Sequence, residues 1–375
     1  MSPSKSKIHV AVVGAGIAGL AIAVALRRCP QYAVTVYERR AAHLEEPSAG
    51  FGIRDHGVTV LHKLGIHRQD VKGVMTAGYR TFNMQGAETS VALMPRPADG
   101  EIPLWLLVRQ DLREALLQRI AVVDEALAPV EVVFDANVTT VEPEIGAIHF
   151  ADGKSQSADL IIGADGIHSR TRPVIVSDLP EPVPSGVSLF GFDLPMETVK
   201  VAMAEDHGAQ AILRDSPEGQ HLRRRQRGFT ACRSKDPQVS LASQELELIR
   251  LRLSRVSPLR LFQVRDVKPL QSYFKGKTVV IGDAAHAMVP YQGQGANQAL
   301  EDADSLLDLL ADVDDPSEIP ERIRLWDSVR RPRASAIQEQ SRDSLVRITT
   351  KGTGQSILAV EPHVPIKEVL KQRAT

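Results

Sequence analysis

The segment Gly14-Ala15-Gly16-Ile17-Ala18-Gly19 constrains the fold of this chain more than any other. A β-prone apolar run, Ile8–Val13, leads into it, and Leu20–Arg28 follows with apolar residues nearly all round, as in a buried helix, stopped by Pro30. Ala33-Val34-Thr35-Val36-Tyr37-Glu38 is a second β-run. Strand, glycine turn, helix and strand in this order make a βαβ unit with a parallel pair. Gly14 makes the tight turn, Gly16 lets the backbone approach a pyrophosphate, and Gly19 lets helix and strand pack closely. The helix N-terminus adds donors and a positive dipole end. Glu38, 19 residues after Gly19, can accept from both ribose hydroxyls of an adenosine. The unit predicts dinucleotide binding but does not choose between FAD and NAD(P).

The rest of the composition narrows the partners. With 45 Lys+Arg against 46 Asp+Glu in 375 residues the net charge is −1, so a global basic field for nucleic acid is absent. Cys29 and Cys232 are too few for a disulfide framework or a cysteine-rich zinc site, and no metal site is expected. No run reads as a membrane span or a signal peptide, because the most apolar early stretch holds His9 and three glycines. The expectation is a soluble, cytoplasmic protein.

Further along, Val58–Leu64 reads as a helix and Gly78–Met94 alternates like strand. Asp111–Ile120 reads as a helix with Asp111 as N-cap and Glu114 completing a capping box. Val130–Phe134 and Ala147–Phe150 look like strands, with a turn at Asp152-Gly153. The apolar strand Asp159–Ile162 runs into Gly163-Ala164-Asp165-Gly166. Residues 173–272 change character: prolines cluster, Arg214 to Lys235 is rich in arginine, and strand alternation is poor. The strand Thr278–Ile281 then leads to Gly282-Asp283-Ala284-Ala285-His286, a Gly293-Gln294-Gly295 turn, and helices over about 296–310 and 321–345. The tail from Lys351 shows little periodicity and is expected to be loosely ordered.

Gly282-Asp283 separates the two cofactors. A dehydrogenase using NAD alone has no need of this late strand–Asp–helix element, whereas FAD must have its ribityl chain and isoalloxazine held far from its adenine. Asp283 can accept from ribityl hydroxyls, and the N–H groups of Gly295, Ala296 and Asn297 at a helix start can face the flavin N1/C2=O edge. His286 reads as a structural residue of this motif.

In order and spacing, the Gly14–Gly19 turn with Glu38, the Gly163–Gly166 element and the Gly282–Gly295 element resemble the FAD-dependent aromatic-type monooxygenases. These are the single-component hydroxylases related to p-hydroxybenzoate and salicylate hydroxylases. The stretch Val289–Asp302 resembles the salicylate-hydroxylase-like branch frequent in fungal secondary metabolism, and Arg331-Pro332-Arg333 and Ser341 fit the family's C-terminal helix. The match spans residues 8–172 and 266–345, about two thirds of the chain.

The resemblance implies an α/β fold: a glutathione-reductase-like (Rossmann-type) FAD-binding domain, a smaller, sheet-based, shortened substrate domain, and C-terminal helices. FAD-domain segments are expected over 1–172, with substrate-domain strands interleaved at about 75–108, and again over 273–350. The substrate domain is expected over 173–272 and a tail over 351–375. It further implies that Glu38 holds the adenosine ribose and that Ala49 passes near the diphosphate or ribityl chain. By the same resemblance Arg109 contacts FAD, Asp165 and Gly166 serve FAD and NAD(P)H with Arg170 in the same motif, and Asp283, Gly295 and Ala296 meet the flavin half. The implied reaction is NAD(P)H-consuming hydroxylation or epoxidation of a small organic substrate, aromatic or polycyclic, with O₂ through a flavin C4a-hydroperoxide. No catalytic side chain is assigned.

Gly166 and Gly282 stand 116 residues apart, at the short end for such a substrate domain. Residues 205–258 therefore motivate two alternatives: a flavin-binding protein with impaired turnover, and a flavin-dependent dehydrogenase. Aromatics make up only 4% of the chain, which leaves Phe190, Phe192, Phe229, Tyr273, Phe274 and Tyr291 as pocket candidates.

Overall fold

A computed structural model describes residues 6–43, 50–75, 78–82, 88–93, 104–176, 181–193, 227–232, 260–351 and 364–374. The chain opens with β1 (Ile8–Val13), α1 (Ile17–Leu26) and β2 (Tyr32–Tyr37), and both strands are parallel neighbours in register from Ile8–Tyr32 to Val13–Tyr37. Every residue of α1 is buried, as its apolar surface on all sides demands. Then come β3 (Gly50–Arg54), α2 (Asp55–Lys63), β4 (Val74–Met75), β5 (Gly78–Phe82), β6 (Glu88–Leu93), β7 (Leu104–Val108), α3 (Arg109–Ala121) and β8 (Val130–Val133). A three-stranded antiparallel unit of β9 (Val138–Glu142), β10 (Ala147–Phe150) and β11 (Ser155–Ser157) precedes β12 (Leu160–Gly163). The expected turn at Asp152-Gly153 joins β10 to β11, with Gly153 at φ +83°.

The short helix α4 (Arg172–Ile175) leads to β13 (Val183–Asp193), β14 (Arg227–Cys232) and β15 (Arg260–Asp266), which form one antiparallel sheet in the order β14-β13-β15. Alternation is poor around Phe229, yet Arg227–Cys232 pairs along its whole length with β13, Phe229 facing Gly191 and Cys232 facing Ser188. Backbone pairing against a long partner strand overrides a weak side-chain pattern here. The remaining arginine-rich positions, and most of 205–258, lie outside the described residues.

The chain ends with β16 (Phe274–Lys275), β17 (Thr278–Val280), α5 (Asp283–His286), α6 (Gly295–Leu310), α7 (Ile319–Lys351) and α8 (Ile366–Ala374). The tail therefore holds a helix where loose chain is expected, and Ile366 is 1% exposed within the main core. Leu370, one turn on, packs against the same core, so an i, i+4 apolar pair docks this short helix.

The central sheet has the order β16-β17-β12-β1-β2-β8, parallel throughout except for β16. It sits in the largest hydrophobic cluster, with α1, α3, α6 and α7 contributing buried faces. From Val10 to Val13 both faces of β1 are covered, which is why those four residues read as an unbroken apolar run. Among the described residues no helix is long and apolar enough to cross a membrane. The expected capping box at α3 does not form: the helix starts two residues earlier, Asp111 pairs with Lys72 at 2.7 Å, and Glu114 accepts from Gln110.

Candidate functional site

The register of the central sheet places the three motifs side by side. Val13 stands opposite Tyr37 and Gly163, and Gly163 stands opposite Val280. Gly14, Glu38, Ala164 and Ile281 therefore leave the sheet at one level, at the carboxyl ends of adjacent parallel strands, where ligands of open α/β sheets bind. The ladder continues into the turns: Gly14 N–H donates to Tyr37 O at 2.8 Å, Ala164 N–H to Val13 O at 2.8 Å, and Ile281 N–H to Gly163 O at 2.9 Å.

Two glycines of the first turn are sterically required. Gly14 has φ +107°, and a Cβ there would lie 2.5 Å from the Ala164 carbonyl oxygen. A Cβ on Gly19 would lie 2.0 Å from Gly14 O and 3.1 Å from Val12 Cγ1. Gly16 caps α1 without a side-chain bond, and the nearest atom to a Cβ there would be the Arg109 guanidinium at 3.6 Å. The first-turn N–H groups of α1 thus open toward a space bordered by a cation. Glu38 folds back over the same turn: one carboxylate oxygen accepts from Ala15 N–H at 2.8 Å and the other from Arg40 N–H at 3.0 Å. Arg113, one helical turn after Arg109, donates to Ala15 O at 3.0 Å. Arg113 carries no motif signal of its own; its i+4 spacing from Arg109, which puts both on one face of α3, is the one sequence cue to it. Ala49 lies outside the described residues.

The Asp165 carboxylate is used within its own loop. It accepts from the Ser169 hydroxyl at 2.5 Å, the Thr171 hydroxyl at 2.8 Å, Arg170 N–H at 2.6 Å and Thr171 N–H at 3.1 Å. Gly166, at φ +80°, faces open space. Arg170 in this element is exposed, whereas Arg172 two residues on is buried. Arg172 is 4% exposed and donates to Ile167 O at 2.6 Å and Ala284 O at 3.3 Å, so it ties the Asp165 loop to the Gly282 loop. Burial pulls its guanidinium below the usual range, against the pull of Asp165, Glu181 and Asp283.

Gly282 has φ +59°, and a Cβ there would meet Ala18 of α1 at 2.7 Å. Asp283 is exposed, its carboxylate accepts no hydrogen bond among the described residues, and one carboxylate oxygen lies 3.8 Å from where a Cβ on Gly295 would stand. Ala296 follows in the first turn of α6, half-buried. Asn297 clamps that turn to β3, accepting from Arg54 N–H at 2.9 Å and donating to Gly52 O at 3.1 Å and Gly293 O at 2.8 Å.

Behind this loop lies a buried charge network. Asp302 accepts from Gly282 N–H at 2.8 Å, His286 Nε2 at 2.6 Å and Arg330 at 2.7 and 2.9 Å. Arg330 and Arg333 also reach Glu301. Burial alone would raise the Asp302 pKa, but the facing His286 and Arg330 outweigh it and hold the carboxyl below its usual range. His286 is fully buried in this network, which fits a structural part. Tyr273, a pocket candidate from sequence, is fully buried beside His286 and Trp326 and lines no open space. The side chains of Phe190, Phe192 and Phe229 lie outside the described residues.

Over residues 7–341 the chain matches the family described as FAD binding domain. It is a member of that family. A 3-amino-4-hydroxybenzoate 2-monooxygenase, PtmB3, of Streptomyces platensis is 31% identical over 91% of this chain and 88% of its own length. Hispidin-3-hydroxylase of Neonothopanus nambi is 27% identical, and a salicylate hydroxylase of Pseudomonas putida 29%. A solved salicylate hydroxylase substrate complex superposes with a TM-score of 0.71 at 24% identity, covering 99% of this chain and 95% of that one. This family member is an FAD-dependent monooxygenase with a Rossmann-type FAD-binding domain. These relatives support that reading and neither of the alternatives, impaired turnover and a dehydrogenase.

Proposed function

We propose that the carboxyl edge of the central sheet holds FAD, and that the enzyme oxygenates a small aromatic substrate, by hydroxylation or epoxidation. Convergence of the three motifs on adjacent strand ends carries this reading. The residues present fit the group. The α1 N-terminus presents donors without a side-chain cap beside Arg109, a setting for a diphosphate. Glu38 keeps lone pairs for ribose hydroxyls after its two backbone bonds. Asp283, exposed at the start of the second loop, is an acceptor for ribityl hydroxyls, and the α6 N–H groups at Gly295 and Ala296 complete the flavin side.

Bound FAD supplies the redox chemistry, passing two electrons from NAD(P)H to O₂, with one oxygen atom going to the substrate and the other to water. The chain orients and shields. The α6 N-terminus faces negative charge with its dipole, Arg172 keeps the Asp165 and Asp283 loops in register, and Asp302 fixes the Gly282 turn from behind. Asp165 and Gly166 shape the loop that serves FAD and NAD(P)H. The aromatic class follows the relatives' hydroxybenzoate, salicylate and hispidin names. The substrate domain in this reading comprises 173–272 with the strands interleaved at about 75–108. A cytoplasmic location, where NAD(P)H is replenished, belongs to the same reading. The test is the visible spectrum of the purified protein before and after anaerobic NADPH. Flavin bands that bleach support the reading; a protein that takes up no flavin even when FAD is added overturns it.

A further inference from the structure

Three glutamines flank the start of α6, and one differs from the others. Gln292 donates to Ser344 Oγ at 3.1 Å and Gln298 accepts from Arg330 at 3.1 Å. Gln294, the N-cap residue of α6, is 1% exposed, and neither its amide oxygen nor its amide nitrogen has a hydrogen-bond partner. It is the one side-chain amide among the described residues with both atoms buried and unbonded. An unpaired buried donor and acceptor in one group are costly, and native proteins keep such groups where something else pairs them. The neighbouring Gly293, at φ +62°, and the Asp283 carboxylate near Gly295 place this amide in the second motif loop.

We propose that Gln294 is an FAD-recognition residue whose carboxamide pairs with the imide edge of the isoalloxazine. This inference rests on the FAD site proposed above. A carboxamide carries one acceptor and one donor group side by side, the complement of an adjacent N3–H and C=O. Rotation of the side chain toward that edge replaces two unmade bonds with two made ones, so cofactor binding removes the penalty of the unpaired amide. An ordinary capping or packing residue has no such reserve.

The two roles separate by sign. Gln294→Met has similar length and no polar atoms, so its apoprotein should melt no lower than wild type while binding FAD about tenfold more weakly, the weight of an ordinary hydrogen bond. Fluorescence titration of apoprotein with FAD and with FAD methylated at flavin N3 gives the second readout. Wild type should prefer FAD about tenfold over the methylated form, and Gln294→Met should lose that preference. Equal FAD affinity in Gln294→Met and wild type overturns the proposal, as does discrimination against the methylated form that survives the substitution. Loss of substrate affinity alone would assign the amide to the substrate and overturn it too. Asp283→Ala, titrated in parallel, tests the site itself. If Asp283→Ala binds FAD weakly and Gln294→Met binds it normally, only the role of Gln294 fails; if Asp283→Ala binds as wild type, the FAD site assignment fails with it.

Discussion

The Asp165 loop and the Asp283 loop leave neighbouring parallel strands at the same level, and each opens with an acid next to a glycine. They are built in opposite ways. The Asp165 carboxylate closes its own loop with four hydrogen bonds, so the first loop is held from inside. The second is held from behind by Asp302 through Gly282 N–H and His286, which leaves Asp283 exposed. An acid after a strand is thus a scaffold in one case and, in the function proposed above, a binding group in the other, and the motif letters alone do not tell which.

Substitution can break this contrast, and the largest effect belongs to the acid behind the second loop. Asp302→Ala leaves Arg330 charged, buried and short of its partner, so it should destabilise the protein by about 3–5 kcal/mol in denaturant unfolding. The same carboxyl gives the contrast a pH signature. Its folded pKa lies below the unfolded value of about 4, so its stabilisation is present above that pH and is lost as pH falls through the folded value. Wild type should lose stability on acidification through this window, and Asp302→Asn should flatten that part of the profile.

Next comes Asp165→Ala, which strands two backbone N–H donors and two hydroxyls. Thermal melts should show a loss of about 2 kcal/mol, with FAD affinity falling only as the fold loosens. Asp283→Ala should do the reverse. Its melting point without cofactor should stay within about 0.5 kcal/mol of wild type, while FAD binding by equilibrium titration weakens about 10- to 100-fold. If Asp165→Ala loses FAD at unchanged stability, the two loops are not the opposites drawn here. The smallest effect is expected at Gly166, which has open space around it, so Gly166→Ala should cost only the left-handed backbone strain of about 1 kcal/mol in the same melts.

Much of this was legible in the sequence because glycine and strand patterns report backbone geometry directly. The β1–α1–β2 unit, the β10–β11 turn, and the strand preceding each motif follow from residue types with few structural options. What was not legible is side-chain direction. Two arginines two residues apart look alike in sequence, yet Arg172 is buried against Ala284 O and Arg170 is exposed. The Asp111–Glu114 spacing fits a capping box, but Lys72 from a distant turn takes Asp111. Ile366 and Leu370 dock a tail helix through an i, i+4 pair too short to stand out among the polar residues around it.

The strand order has a consequence for how the molecule is made. His9 and Asp159, bonded across adjacent strands, are 150 positions apart, and Arg172 and Asp283 are 111 apart. At about 5–20 residues per second of synthesis, β1 waits many seconds for β12, and β12 waits again for β17. During that interval two apolar strands have open edges, the kind of surface that chaperones cover and that pairs with the wrong chain. Long-range pairing of this sort is also slow to form. FAD at the site proposed above cannot assist early, since that site needs the last of these strands, so this protein should be sensitive to translation rate and to temperature during expression well before FAD supply becomes limiting.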